Sequence, residues 1–235
     1  MDLNLPRVPK TRMSETRRRF SPICFITGTP RNSTLEQAVS TLLEAGITWI
    51  QYREKNKTKR ELLSEALKLR EITRRYGACL IVNDHADIAL AADADGVHLG
   101  QDDLPLADAR KIMGKRIIGI STHALQEAAD AEKGGADYIG FGPVFHTTTK
   151  DAGTPKGLAA LQQIKSSVGI PVIAIGGVKA ETLEHVFHSG CEGVAVSSGI
   201  LHGDIRENAK RFLSVAGNCR ALNRQWPLPG RMKEV

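Results

Sequence analysis

Eight short apolar runs, rich in β-branched residues, recur along the middle of this chain: 23–27, 48–52, 80–83, 96–99, 117–121, 138–141, 172–175 and 194–197. Between most of them lie segments with apolar residues at helical spacing. Leu35, Val39, Leu42 and Leu43 form one such stripe, and Leu62, Leu63, Ala66, Leu67, Leu69 and Ile72 form another against charged partners. Segments 158–164, 183–187 and 205–212 read the same way. Strands that are continuously apolar, rather than alternating, belong to a parallel sheet covered on both faces. Eight β-α units in a chain of 235 residues predict an α/β fold, a single (β/α)8 barrel. An open, doubly wound sheet is the competitor, but it usually carries its phosphate loop after the first strand. Here Gly28-Thr29-Pro30-Arg31-Asn32 fits neither a G-x-G-x-x-G turn nor a Walker loop.

The formal charge of +6 hints at nucleic acid until it is divided along the chain. Residues 1–20 carry six Arg or Lys against Asp2 and Glu15, and residues 218–235 carry Arg220, Arg224, Arg231 and Lys233 against Glu234. The body, 21–217, is left near neutral, so the expected organisation is a basic N-terminal tail 1–20, a catalytic barrel 21–217 and a basic C-terminal tail 218–235. Aromatic residues make up only 5% of the chain, too few for the stacking platforms of a nucleic-acid binder. No apolar run reaches the roughly 18–20 residues of a membrane span, and the N-terminus lacks the pattern of a secretory leader. Cys24, Cys79, Cys191 and Cys219 are scattered without a C-x-x-C pair, which points to a reducing cytoplasm.

A barrel concentrates its chemistry at the C-terminal ends of the strands. The second run continues as Gln51-Tyr52-Arg53-Glu54-Lys55, and alternation by two places Gln51, Arg53 and Lys55 on one face. Facing inward, the two cations could hold an anion; facing outward, they are a solvated strand end. The third run ends in Asn83-Asp84 and the fourth leads to Asp102-Asp103. Carboxylates on neighbouring strands suit Mg²⁺, which is usually held by one or two carboxylates together with water and phosphate oxygens. Capping of the following helix is the other use open to Asp84 and Asp103. Ser121 and Thr122 close the fifth run. After the sixth comes a loop with Thr147, Thr148, Thr149 and Lys150, a plausible anion clamp. Gly176-Gly177 and Ser197-Ser198-Gly199 follow strands seven and eight, where barrels commonly bind phosphate. Together these ends describe one mouth with two anion clusters, one of them backed by a divalent cation.

The ordered motifs QYREK (51–55), VND (82–84), HLGQDD (98–103), ISTH (120–123), GPVFHTTTK (142–150), AIGG (174–177) and VSS (196–198) resemble the thiamine-phosphate synthase family over about residues 23–205. The resemblance implies a transferase that joins hydroxymethylpyrimidine diphosphate to a thiazole phosphate, releasing pyrophosphate with Mg²⁺ as cofactor. It assigns the pyrimidine diphosphate to Gln51, Arg53, Lys55, Asn83, Ser121 and Lys150, with Arg53, Lys55 and Lys150 catalytic. It assigns Mg²⁺ to Asp84 and Asp103, and the thiazole phosphate to Thr147, Thr148, Thr149, Gly177, Ser197 and Ser198. His146 departs from the family pattern, where Pro is common, and Ser197 stands where an aliphatic residue is common. The partners implied are two phosphorylated small molecules, with no nucleic acid and no membrane; a homo-oligomer stays open. A thiazole tautomerase on the same barrel is the alternative, but it needs neither metal carboxylates nor a diphosphate clamp.

Several residues have blander readings. His185 and His188, at i and i+3 on a helix, lack a third ligand nearby and decorate a solvated face. His98 and Trp49 read as core residues, as do Cys24 and Cys79. His123 is left without a role.

Overall fold

The computed structural model describes residues 21–30, 32–147 and 153–222. Its eight strands are β1 (Ile23–Ile26), β2 (Trp49–Tyr52), β3 (Cys79–Asn83), β4 (Gly96–Leu99), β5 (Ile117–Thr122), β6 (Tyr138–Phe141), β7 (Val172–Ile175) and β8 (Gly193–Val196). Each differs by at most a residue at either end from an apolar run read in the sequence. The helices are α1 (Leu35–Ala45), α2 (Lys59–Arg75), α3 (Ala86–Ala91), α4 (Leu106–Met113), α5 (Leu125–Lys133), α6 (Gly157–Ser167), α7 (Leu183–His188), α8 (Ser198–Leu201) and α9 (Ile205–Leu222). Every strand pairs in parallel with the next, and β1 pairs with β8, closing the barrel. The fold is a (β/α)8 barrel. The last helix runs past residue 217, where the sequence ends the barrel, and Cys219 packs into the core. Among the described residues no helix is long and apolar enough to cross a membrane.

Local chemistry starts the two longest helices on the first half of the barrel. Thr34 and Gln37 form a reciprocal capping box on α1, and Thr58 and Glu61 form another on α2. Helix α1 stops at Gly46, whose left-handed backbone (φ 107°) is open to glycine without strain.

The core has two parts. One lies between the strands and the helices; the other fills the barrel itself with Cys24, Ile26, Trp49, Cys79, Ile81, Tyr138, Ile173 and Ala195. The interior has room for Tyr138 and His98 because glycines stand opposite them. A Cβ on Gly119 would lie 2.1 Å from the Tyr138 ring, and one on Gly140 would lie 3.2 Å from His98. The Trp49 and Tyr138 rings meet edge to face, centroids 5.2 Å apart.

At the N-terminal end of the barrel one device repeats on alternate strands. Asp95, just before β4, accepts the Leu80 N–H of β3 at 2.8 Å and pairs with Arg70 of α2 at 2.7 Å. Asp137, before β6, accepts the Ile118 N–H at 2.8 Å and pairs with Arg110 of α4 at 2.7 Å. Glu192, before β8, accepts the Val172 N–H at 2.8 Å and pairs with Lys165 of α6 at 2.5 Å. Before β2 the neutral Thr48 plays the acceptor role, taking the Ser21 N–H at 3.1 Å. Each charged tie binds two strands and a helix at once.

Arg70 is 8% exposed, so Asp95→Ala would leave a buried guanidinium without this carboxylate and the Leu80 N–H without its acceptor. The expected loss is about 3–5 kcal/mol in urea unfolding. Asp95→Asn keeps an oxygen for the amide and should lose clearly less. Equal losses for the two variants would show that the charge contributes nothing.

Candidate active site

Period-two alternation carries the barrel interior up into the mouth. The parity that points Trp49 inward places Gln51 above it, and the parity of Cys79 and Ile81 leads to Asn83. The mouth is a single cavity of about 790 Å³. Gln51, Arg53, Lys55, Asn83, Asp84, Asp103, Ser121, Thr147, Gly177, Ser197 and Ser198 all line it. Every candidate residue from the sequence that is described therefore meets in one place. Thr148, Thr149 and Lys150 lie outside the described residues.

The diphosphate-side residues are held by backbone ties. Thr27, at the end of β1, accepts the Arg53 N–H at 2.8 Å and donates its hydroxyl to the Arg53 carbonyl at 3.1 Å. Glu54 turns its carboxylate back on the N–H groups of Lys55 (2.7 Å) and Asn56 (3.0 Å), and these bonds, the Asn56 one foremost, hold its pKa below the ordinary value. The Lys55 ammonium pairs with the Asp84 carboxylate.

Asp84 has a left-handed backbone (φ 63°), which aspartate tolerates better than most residues. Asp103 accepts the Gly100 N–H at 2.7 Å. Neither carboxylate caps a helix: α3 is preceded by His85 and α4 by Pro105, without side-chain caps. The capping alternative therefore falls away, and the two acids stand against each other instead. Burial pushes Asp84 up, but hydrogen bonds from Lys55 and from Asp103 outweigh it and its pKa lies below the usual range. Burial, with the neighbouring Asp84, leaves Asp103 raised. Once ionised, each carboxylate thus disfavours the other's charge, and an added cation would relieve that repulsion.

On the opposite side, the loops after β6 and β7 are laced together. The Val144 N–H donates to the Ile175 carbonyl at 2.8 Å and the Phe145 N–H to the Gly176 carbonyl at 3.0 Å. Gly176 (φ 91°) and Gly177 (φ 65°) make this approach possible: a Cβ on Gly177 would lie 2.3 Å from the His146 carbonyl. Gly28 keeps room beside Ser197, whose Oγ would be 3.2 Å from an added Cβ.

The sequence reading missed several wall residues. Thr27, Gln101, Glu127 and Lys156 line the cavity. Thr27 ends the first run, where no phosphate-loop pattern singles it out. His123 also lines the cavity, and its Nδ1 lies 2.6 Å from the Gly142 carbonyl, so Nδ1 donates. His98 is buried as expected of a core residue, yet it borders the cavity as well. Its Nδ1 is 2.9 Å from the Tyr138 hydroxyl and its Nε2 2.9 Å from Ser121 Oγ.

Comparison with known proteins follows this geometry. A family profile described as thiamine monophosphate synthase matches residues 23–200. A thiamine-phosphate synthase of Chloroflexus aurantiacus is 47% identical over 187 residues, covering 79% of this chain and 87% of its own. One from Halalkalibacterium halodurans is 45% identical over 185 residues, covering 77% and 88%. Among solved structures, thiamine phosphate pyrophosphorylase from Pyrococcus furiosus superposes with a TM-score of 0.79 at 40% identity, covering 84% of this chain and 96% of that one.

A paired substitution tests the laced loops. Gly77 has a similar backbone (φ 62°) with nothing within 4 Å of an added Cβ. Gly77→Ala should therefore lose only the conformational strain, about 1 kcal/mol, while Gly177→Ala should lose that plus the clash with the His146 carbonyl. Equal shifts in melting temperature would mean that the β6 and β7 loops are not rigidly joined.

Proposed function

Because this chain belongs to the thiamine monophosphate synthase family, we propose that its mouth holds the two phosphorylated substrates of that synthesis side by side. The enzyme joins hydroxymethylpyrimidine diphosphate to thiazole phosphate, giving thiamine phosphate and pyrophosphate. In the proposed arrangement Gln51, Arg53, Lys55, Asn83, Ser121 and Lys150 bind the diphosphate, and Thr147, Thr148, Thr149, Gly177, Ser197 and Ser198 bind the thiazole phosphate. The observation that carries this reading is that all eleven described members of these sets, counting Asp84 and Asp103, line the same cavity.

Asp84 and Asp103 offer hard oxygen donors on adjacent strand ends, and Asp84 already receives a cation, the Lys55 ammonium. Two carboxylates without a third acidic or imidazole ligand among the described residues suit Mg²⁺, which keeps water and phosphate oxygens in its shell. When bound there, Mg²⁺ would offset charge on the diphosphate. Arg53, Lys55 and Lys150 would do the same as the carbon–oxygen bond breaks and its electron pair leaves with pyrophosphate. The aminopyrimidine ring stabilises positive charge on its methylene carbon, so departure precedes attack. The thiazole nitrogen then forms the new carbon–nitrogen bond. No protein nucleophile is needed, and catalysis rests on positioning and on shielding the cation from water.

The thiazole tautomerase reading is not supported, since the relatives above are named as thiamine-phosphate synthases or pyrophosphorylases. The four cysteines are buried thiols, in keeping with the reducing cytoplasm proposed for this enzyme.

With both substrates and Mg²⁺, pyrophosphate and thiamine phosphate should appear in equal amounts, and a chelator should stop both. Pyrophosphate without thiamine phosphate would make the protein a hydrolase. Arg53→Ala and Lys55→Ala should each lower turnover about a hundredfold. Asp84→Asn and Asp103→Asn should each raise the Mg²⁺ requirement, and together should be far less than additive. Full additivity would separate the two carboxylates.

A further inference from the structure

Beneath the diphosphate side of the mouth lies a buried hydroxyl that the reaction as described does not use. Tyr138, in β6, is 2% exposed and touches no ligand-facing surface of its own. Its oxygen nevertheless joins three strands. Gln51 of β2 lies beside it, and His98 Nδ1 of β4 lies 2.9 Å away. His98 Nε2 in turn lies 2.9 Å from Ser121 Oγ of β5, whose backbone carbonyl is held by the Gln101 amide at 2.5 Å.

A phenol has one proton to donate. When the Tyr138 O–H goes to His98 Nδ1, the ring proton sits on Nε2 and is donated to Ser121 Oγ. The serine hydroxyl is then left to donate into the mouth. The reverse order would turn Ser121's lone pairs on the incoming ligand, the wrong polarity for a wall that also carries Arg53 and Lys55. We propose that Tyr138 is a positioning residue of the synthase: acting through His98, it makes Ser121 a hydrogen-bond donor to the pyrimidine diphosphate. Burial in the apolar barrel keeps the phenol protonated, as this direction requires.

This inference rests on the synthase reading, and the two fail separately: wild-type turnover tests that reading, and the kinetics of variants test this one. Tyr138→Phe keeps the ring that packs on Trp49 and removes only the hydroxyl. The kcat/KM for the pyrimidine diphosphate should fall about tenfold, the scale of one hydrogen bond, while KM for the thiazole phosphate stays within about twofold. In a Ser121→Ala background the same change should add less than about twofold, because the relay has lost its output. Unchanged kinetics, an equal effect on both substrates, or a full tenfold loss without Ser121 would each overturn the proposal. His98→Phe breaks the relay in its middle and predicts the same split, so it decides the matter if Tyr138→Phe does not fold.

Discussion

The pairing of β1 with β8 is the contact on which everything else in this molecule depends. It turns eight parallel strands into a ring, removes both sheet edges and brings every C-terminal strand end to one mouth. Residues from 27 to 198 thereby become neighbours without any long-range motif in the chain. The two ends of the ring then carry different chemistry. Strand starts are tied by Asp95, Asp137 and Glu192, each satisfied within the protein by an amide and a cation. Strand ends carry Arg53, Lys55, Asp84 and Asp103, groups whose charges are balanced only in part by one another. Stability sits at one end and ligand chemistry at the other.

Between them the interior is filled unevenly. Glycines on β5 and β6 admit the Tyr138 and His98 side chains, so large polar-tipped rings occupy space that aliphatic residues would otherwise fill. Rings of this kind combine packing area with a hydrogen-bonding end. Here that end reaches upward: His98 links the buried phenol to Ser121 at the cavity wall. The layer that holds the barrel open is also the floor of the site.

The mouth itself is two different surfaces. Over β2 to β5 it is built from charged and amide side chains, whose positions are locked by ties such as Thr27 to the Arg53 backbone and Glu54 to the Lys55 and Asn56 amides. Over β6 to β8 the described residues are mostly backbone, small hydroxyls and apolar side chains, together with Lys156, and its shape depends on Gly176 and Gly177 adopting conformations that let two loops touch. A diphosphate with a metal needs strong, discrete charges; a monophosphate can be held by hydroxyls and a close backbone. This division of labour is the one that the proposed arrangement calls for.

The order of the eight strands, their parallel character and the eleven described candidate residues that line the mouth were legible from sequence, because a strand buried on both faces must be apolar throughout and barrel chemistry must lie where the strand ends. Gln51, Asn83 and Ser121 could be found by that rule alone. Other features could not. Whether Asp84 and Asp103 cap helices or face each other depends on a left-handed turn at Asp84 and on where β3 and β4 come to rest. Thr27's hold on Arg53 and the path from Tyr138 to Ser121 join residues 23 to 40 positions apart, and those distances close only when the strands come together. The end of α9 was set beyond residue 217 because Cys219 finds apolar cover there. Periodicity reports which side of a strand or helix is buried, and so the sequence by itself determined the elements and the face each presents. Hydrogen-bond partners are chosen by proximity in space, and only the closed barrel decided which of those faces met and which atoms hold one another.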